Sequence, residues 1–455
     1  MKKVCLTLSL VLMGQSLFAQ DFDLSQAFKS ASSSVSSSIP VPVSAQSVTS
    51  NVSSQPSVSN STAPYKWLLL VFINGVNDLG LLGLAAGDVN EMETVGSTSK
   101  AAAVVEFNSM TSGPIGEIQF QSGTKTLFIR KDNDISNINS QIVESPRIND
   151  MGSYRHLINF ARRNIARYPA EKVMLVVWNH GNGRLGVAFD DVSRNHMDIW
   201  QLGQAAAAIS SYMGRKIDIF ATDACLMQMA EVVYELRNSA DIILGSEEII
   251  PGPGYPYDLL LNILNSSNDS ASAASSFVEA YYSAYQNNKP GGYAIGNKSH
   301  TMSAIKADKV DGFVSLLNDW VDSVMADSAE FSKIIDKTYT ESAFYYGEAG
   351  GIAEAGLRSA DFYDYLASLD SVLTKEELKN KTNNLKNYIK NSLIIRNRAG
   401  NGQNIQGLFY NAHSNGLAIY MPLLRYEAGN YERMSFVSGS KWDEFLKAML
   451  AKRGN

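Results

Sequence analysis

Cysteine is almost missing from this sequence: there are two in 455 residues. Cys5 lies in a stretch read below as a leader, so the mature chain is expected to keep Cys225 alone and to form no internal disulfide. A lone thiol is either a buried apolar residue or a reactive group. Histidine is also scarce, at five. No two histidines stand four apart, so a helical histidine metal site has no support. Cationic residues are in slight deficit, with 39 Lys+Arg against 45 Asp+Glu and a net charge of −6. Without a basic stripe, nucleic acid is not an expected partner. Beyond the first residues no apolar run reaches 18, so no membrane span is expected. The Gly-x-Ser-x-Gly elbow of serine hydrolases is missing too; Gly96-Ser97 and Gly152-Ser153 lack its flanks.

The start reads Met1-Lys2-Lys3, then an apolar run from Val4 to Met13, then Ser16-Leu-Phe-Ala-Gln20. A positive start, a short apolar stretch and a small residue at the cut predict a signal peptide over 1–19, and hence a secreted protein, extracellular or periplasmic. The run is too short to span about 30 Å of hydrocarbon. Residues 20–63 are rich in Ser, Val, Gln and Asn with almost no charge or aromatic residue from Lys29 on, which predicts a flexible spacer.

Folded sequence begins near Tyr65. Trp67–Ile73 and Val173–Trp178 are continuous apolar runs, the pattern of strands buried on both faces. Ala103–Phe107, Thr126–Arg130, Ile217–Ala221 and Ile242–Gly245 read as further strands. Helical stretches at Leu79–Val95 and Tyr154–Tyr168 alternate with them. This alternation predicts an α/β fold with a largely parallel sheet and helices on both faces. The pattern changes near His300, so we divide the folded part into a domain over 64–299 and a C-terminal α/β subdomain over 300–455. The latter is expected to hold a helix after the capping box Thr374-x-x-Glu377, a late strand Gly416–Met421 and a helix Trp442–Leu450.

Two strands end in residues with chemistry. Val173–Trp178 runs into Asn179-His180-Gly181, and Ile217–Ala221 into Thr222-Asp223-Ala224-Cys225. Ligands of open parallel sheets bind beyond the carboxyl ends of the strands. If the two strands are neighbours, His180 and Cys225 face one crevice. Leu226, Met229, Ala230 and Val233 make an apolar helical stripe, which predicts a helix starting at Leu226 whose N-terminus favours the Cys225 thiolate. His180 is then a base for the thiol, and the amides of Gly181 and Cys225 form an oxyanion site. On these residues alone, Asp223 is either a cap for loop amides or a binding group.

At these residues the sequence resembles the clostripain-like cysteine peptidases of the caspase–gingipain–legumain clan. The resemblance covers Leu175-Val-Val-Trp-Asn-His-Gly181, Thr222-Asp-Ala-Cys-Leu-Met227, Phe72-Ile-Asn-Gly-Val-Asn-Asp-Leu79, Asp88-Val-Asn-Glu-Met-Glu93, Pro251-Gly-Pro-Gly-Tyr-Pro-Tyr257 and Gly416-Leu-Ala-Ile-Tyr-Met-Pro422. It implies a caspase-like sheet, a His180–Cys225 dyad with no obligatory third member, and cleavage of protein or peptide substrates after Arg or Lys, with Asp223 at the pocket floor. It also implies a zymogen cut between its two catalytic motifs. Arg184 is too near His180, and Arg215 and Lys216 adjoin a strand, which leaves Arg194, with Asn195 starting the second chain. The chain departs from the family at Asn179, where Asp is expected, at Arg184, where an aromatic is usual, and at Pro253, where relatives carry an acid. The alternative reading is a non-catalytic secreted binding protein that keeps the fold. The chemistry requires no cofactor; calcium remains open, since Asp190-Asp191 is either a ligand pair or a solvated loop.

Overall fold

The runs of Val, Ile and Leu form a nine-stranded sheet. The computed structural model describes residues 64–454 apart from 111–112, 116–117, 121–122, 287–298, 342–358, 401, 404–408 and 411–412. The expected signal peptide and spacer lie outside the described residues. Strands of the large sheet are β1 (Tyr65–Gly75), β2 (Ala101–Ser109), β3 (Lys125–Phe128), β4 (Gln141–Glu144), β5 (Ala170–Trp178), β6 (Ile217–Asp223), β7 (Ala240–Gly245), β8 (His300–Lys306) and β9 (Ile394–Gly400). Their order across the sheet is β9-β8-β7-β6-β5-β1-β2-β3-β4. The central five, β7-β6-β5-β1-β2, are mutually parallel. Antiparallel strands extend both edges.

The period-two alternation of β1 separates the two faces. Trp67, Leu69, Val71 and Ile73 join a core with residues of helices Leu84–Val95 (α1), Tyr257–Ser266 and Ser270–Gln286. Phe72 points the other way and packs its ring 6.0 Å from Phe160 on helix Tyr154–Arg167. Both faces are therefore covered, which is why every residue from Trp67 to Ile73 is fully buried and the strand reads as an unbroken apolar run.

The described residues cluster as a single compact unit. Strands β8 and β9, from residue 300 onward, complete the large sheet, so the chain on either side of that boundary shares one sheet. The late strand is present as Ala418–Tyr420 and pairs with Ser359–Asp361. The final helix spans Trp442–Lys452. The helix expected after Thr374 begins at Glu376. Thr374 does not cap it; its hydroxyl and backbone amide both donate to Glu330 at 2.5 and 3.0 Å, a tertiary partner that displaces the local box.

Candidate active site

Strands β5 and β6 are adjacent and in register, with Trp178 opposite Asp223. Their carboxyl ends therefore deliver the two motifs side by side. The Asn179 amide donates to the Asp223 carbonyl at 3.2 Å, which zips the strands one residue further. His180 and Cys225 follow, one on each strand end. The approach is tight: a methyl on Gly181 would lie 2.3 Å from the Cys225 oxygen and 2.8 Å from its nitrogen. Only glycine allows the histidine loop to lie against the cysteine backbone. The Gly181 backbone amide also bonds the Cys225 sulfur.

Cys225 does not sit at a helix N-terminus. The helix begins at Ala230, and Leu226 adopts φ +63°. The intervening backbone is claimed by the loop after β7: Leu226 donates to Glu248 at 3.1 Å and Gln228 to Ser246 at 2.9 Å. Pairing with a neighbouring loop outweighs the local helical stripe. The expected thiolate is absent as well. Apolar packing around the half-buried residue pushes the Cys225 thiol up to about 12, with backbone hydrogen bonds of Ile250 and Gly181 opposing the rise and the Glu248 and Asp223 carboxyls adding to it. The raised value keeps the Cys225 thiol in its neutral form near neutral pH.

His180 lies against a residue to which the sequence reading gave no role. Its Nε2 is 2.7 Å from Oδ1 of Asp78, at the turn after β1. Asp223 is buried and accepts from the Tyr255 backbone amide and the Tyr257 hydroxyl, each at 3.0 Å. Burial holds its carboxyl well above the ordinary range. Asp88, on α1, lies beside it. A methyl on Gly254 would sit 3.0 Å from Asp223 Oδ2 and 3.4 Å from Asp88 Oδ2, so the two carboxylates flank this glycine. Asp88 is raised by burial and by the charge of Asp223, against a 2.5 Å bond from the Trp178 indole. Glu248 is buried near the sulfur, and its Oε2 has no hydrogen-bond partner. Asp88 was within a recognised motif; nothing in the sequence distinguished Glu248 from its neighbour Glu247.

The three departures have physical accounts or consequences. Asn179 accepts from the Phe189 amide and donates to the Asn74 carbonyl, both at 2.7 Å, a double role that an ionised Asp cannot fill. Arg184 stacks its guanidinium 3.9 Å from the Tyr420 ring centroid, occupying by cation–π contact the position of an aromatic. Pro253 brings no acid to the Gly254 turn, where Asp88 already supplies a second carboxylate beside Asp223.

Arg194 occupies the exposed turn of a hairpin formed by Val187–Asp190 and Asn195–Met197, with φ +56°. Asn195, the first residue of the returning strand, donates to Asp150 at 2.9 Å. Asp190 turns its carboxylate inward to the amides of Met151, Val192 and Ser193. Among the described residues, no group of three or more His, Cys, Asp or Glu side chains is placed to hold a metal ion. Nor is any helix among them long and apolar enough to cross a membrane.

The fold has counterparts. A secreted C11 cysteine protease from Bacteroides thetaiotaomicron, solved with an irreversible peptide inhibitor, superposes with a TM-score of 0.60 at 20% identity, covering 83% of this chain and all of that one. An inactive zymogen C11 protease from Parabacteroides distasonis gives 0.60 at 21% identity, covering 83% and 99%. At these identities the likeness is one of fold. Clostripain of Hathewaya histolytica is 29% identical over 149 residues, which is 29% of this chain and 27% of that protein, so the match spans about a quarter of the relative's length. The clostripain family model matches residues 71–448, a span that holds both strand-end motifs and the turn carrying Asp78, and the chain belongs to that family.

Proposed function

We propose that this protein is a cysteine endopeptidase that cleaves after Arg or Lys, exported as a latent single chain. One observation carries the reading: adjacent parallel strands bring His180 and Cys225 to one crevice, with the Gly181 amide at the sulfur and a buried carboxylate two residues before the nucleophile. A thiol beside a base, with an amide donor at hand, is the equipment of acyl transfer.

In this reading, the thiol proton passes to His180 as the sulfur attacks the scissile carbonyl. The carbon–sulfur bond forms and the carbonyl electron pair moves onto oxygen. The amides of Gly181 and Cys225 stabilise that oxyanion. Collapse breaks the carbon–nitrogen bond, and His180 returns its proton to the leaving amine. Water then hydrolyses the thioester. A substrate guanidinium or ammonium meets Asp223, with Asp88 behind it, and the carboxyl ionises as the cation arrives.

The exposed turn at Arg194 supports a precursor that can be cut there, and the Parabacteroides relative was solved as an inactive zymogen. The apolar start of the chain and the secreted Bacteroides relative support export. Cys225→Ala and His180→Ala should each lower cleavage of an Arg-ended fluorogenic peptide by ~10³-fold or more while leaving the fold intact. A labelling experiment adds a second check: a thiol-reactive peptide ending in Arg should modify Cys225. A folded Cys225→Ala protein that retains full activity would defeat the proposal.

A further inference from the structure

The two-residue reading leaves the contact between Asp78 and His180 unused. Resting on that reading, we infer that Asp78 is a positioning residue, a third member of the site that fixes the tautomer and orientation of the His180 ring.

The contact is 2.7 Å between Asp78 Oδ1 and His180 Nε2, with the carboxylate 42% and the imidazole 15% exposed. A contact so open to solvent adds little to stability. Its direction matters more. An ionised carboxylate only accepts, so it selects the tautomer carrying the proton on Nε2. Exchange with the sulfur then falls to Nδ1. When Nδ1 takes the thiol proton, the ring becomes a cation that faces the Asp78 charge. When the carbon–nitrogen bond breaks, Nδ1 gives that proton to the amine. No proton moves to Asp78, and the books balance without a further reactant.

The chain around Asp78 is built to hold it there. A methyl on Gly80 would lie 1.9 Å from the Gly75 oxygen, so two glycines let the backbone double back on itself directly after β1. Asn77 accepts from the Leu79 amide at 3.1 Å and donates to the Phe189 carbonyl at 3.0 Å. Asn74 donates to the same carbonyl at 2.9 Å. Asn179, next to His180, bonds Asn74 and Phe189 in turn, both at 2.7 Å. Three asparagines therefore tie the Asp78 turn, the histidine loop and the neighbouring hairpin into one buried frame. The positions of carboxylate and imidazole are set by the same hydrogen bonds, the arrangement that preorganisation requires.

The test is steady-state cleavage of an Arg-ended peptide by wild type, Asp78→Asn, Asp78→Glu and Cys225→Ala, with rates of the first three expressed per titratable Cys225 thiol. Asp78→Asn is expected to lower kcat ~100-fold and leave KM within ~3-fold, because the ring is misdirected while the pocket is untouched. Asp78→Glu should recover ~10-fold of that loss. Melting temperatures should stay within a few degrees, as befits an exposed pair. An Asp78→Asn kcat within ~3-fold of wild type, a loss carried by KM, or a loss matched by a fall in melting temperature overturns the inference. Wild-type cleavage that vanishes in Cys225→Ala but persists at the wild-type rate in Asp78→Asn overturns it alone. No cleavage by any chain overturns the peptidase reading beneath it.

Discussion

Asp223 shows how a residue's surroundings set when it can act. The residue is buried, and its Oδ2 accepts from the Tyr255 amide and the Tyr257 hydroxyl. Burial keeps the carboxyl protonated to higher pH than an ordinary aspartate. A basic substrate side chain needs the ionised form, so pairing should strengthen as pH rises through the raised range. We therefore expect KM for an Arg-ended peptide to fall between pH 5 and neutrality. Asp223→Asn should raise KM for Arg and Lys peptides ~100-fold and flatten that pH dependence, since a neutral amide cannot form the charge-assisted pair. Kinetics across pH for both proteins check this; a mutant with unchanged KM would leave Asp223 as a cap for the Tyr255 amide.

The hairpin carrying Arg194 lies, with helix Ile199–Met213, between the two motifs. Its turn is exposed, with Val192 at 67%, and the backbone at Arg194 is left-handed. Cleavage at Arg194 would leave β5 and His180 on one chain and β6 and Cys225 on the other, still paired through the sheet. Exposed turns open easily into the extended form a peptidase binds. Mass spectrometry of purified protein should show two associated chains for wild type, the second starting at Asn195, and one intact chain for Cys225→Ala and for Arg194→Gln. Identical cutting in wild type and Cys225→Ala would remove self-processing from the account. Elements also mark where sequence reading succeeds. The parallel strands were legible because strands buried on both faces leave unbroken apolar runs, as in Trp67–Ile73, and the neighbouring placement of His180 and Cys225 was legible because each follows such a strand. Edge strand β9 was not: Ile394–Gly400 includes Arg396 and Arg398, which pair with Glu279 across a half-buried surface, so its pattern is polar. The helix start was misread because Leu226–Met229 fits a helical stripe, yet its amides pair with a loop that no local pattern reveals. Asp78 was within a recognised motif, but its partner lies 102 residues away.

At the scale of the molecule, the carboxyl end of the sheet gathers buried acids without enough cations to neutralise them. Asp88, Asp223, Glu231, Glu247, Glu248 and Asp361 are all buried there, and burial raises every one. Glu231 is raised to about 7 and Glu248 to about 8. In the unfolded chain such groups ionise near their ordinary value of 4.5. Between that value and the raised one, the native state holds protons that the unfolded state has lost. Stability is therefore fully present below the ordinary value and declines as pH rises toward about 8, by ~1.4 kcal/mol per pH unit for each group within its window. The opposing groups do not interfere there, because carboxylates lowered by hydrogen bonds, such as Glu330 at about 2, act only in stronger acid. The chain should accordingly melt at a lower temperature at pH 8 than at pH 5.5, a trend readable by calorimetry on Cys225→Ala, which cannot digest itself. The proposed activity pulls the other way, since Asp223 must ionise to hold a basic side chain. A cation entering the pocket supplies the missing countercharge, so an Arg-ended peptide should raise the melting temperature of Cys225→Ala more at pH 8 than at pH 5.5. Equal stabilisation at both values, or stability that rises with pH across this window, would show that these acids are neutralised in the native state by a route other than retained protons.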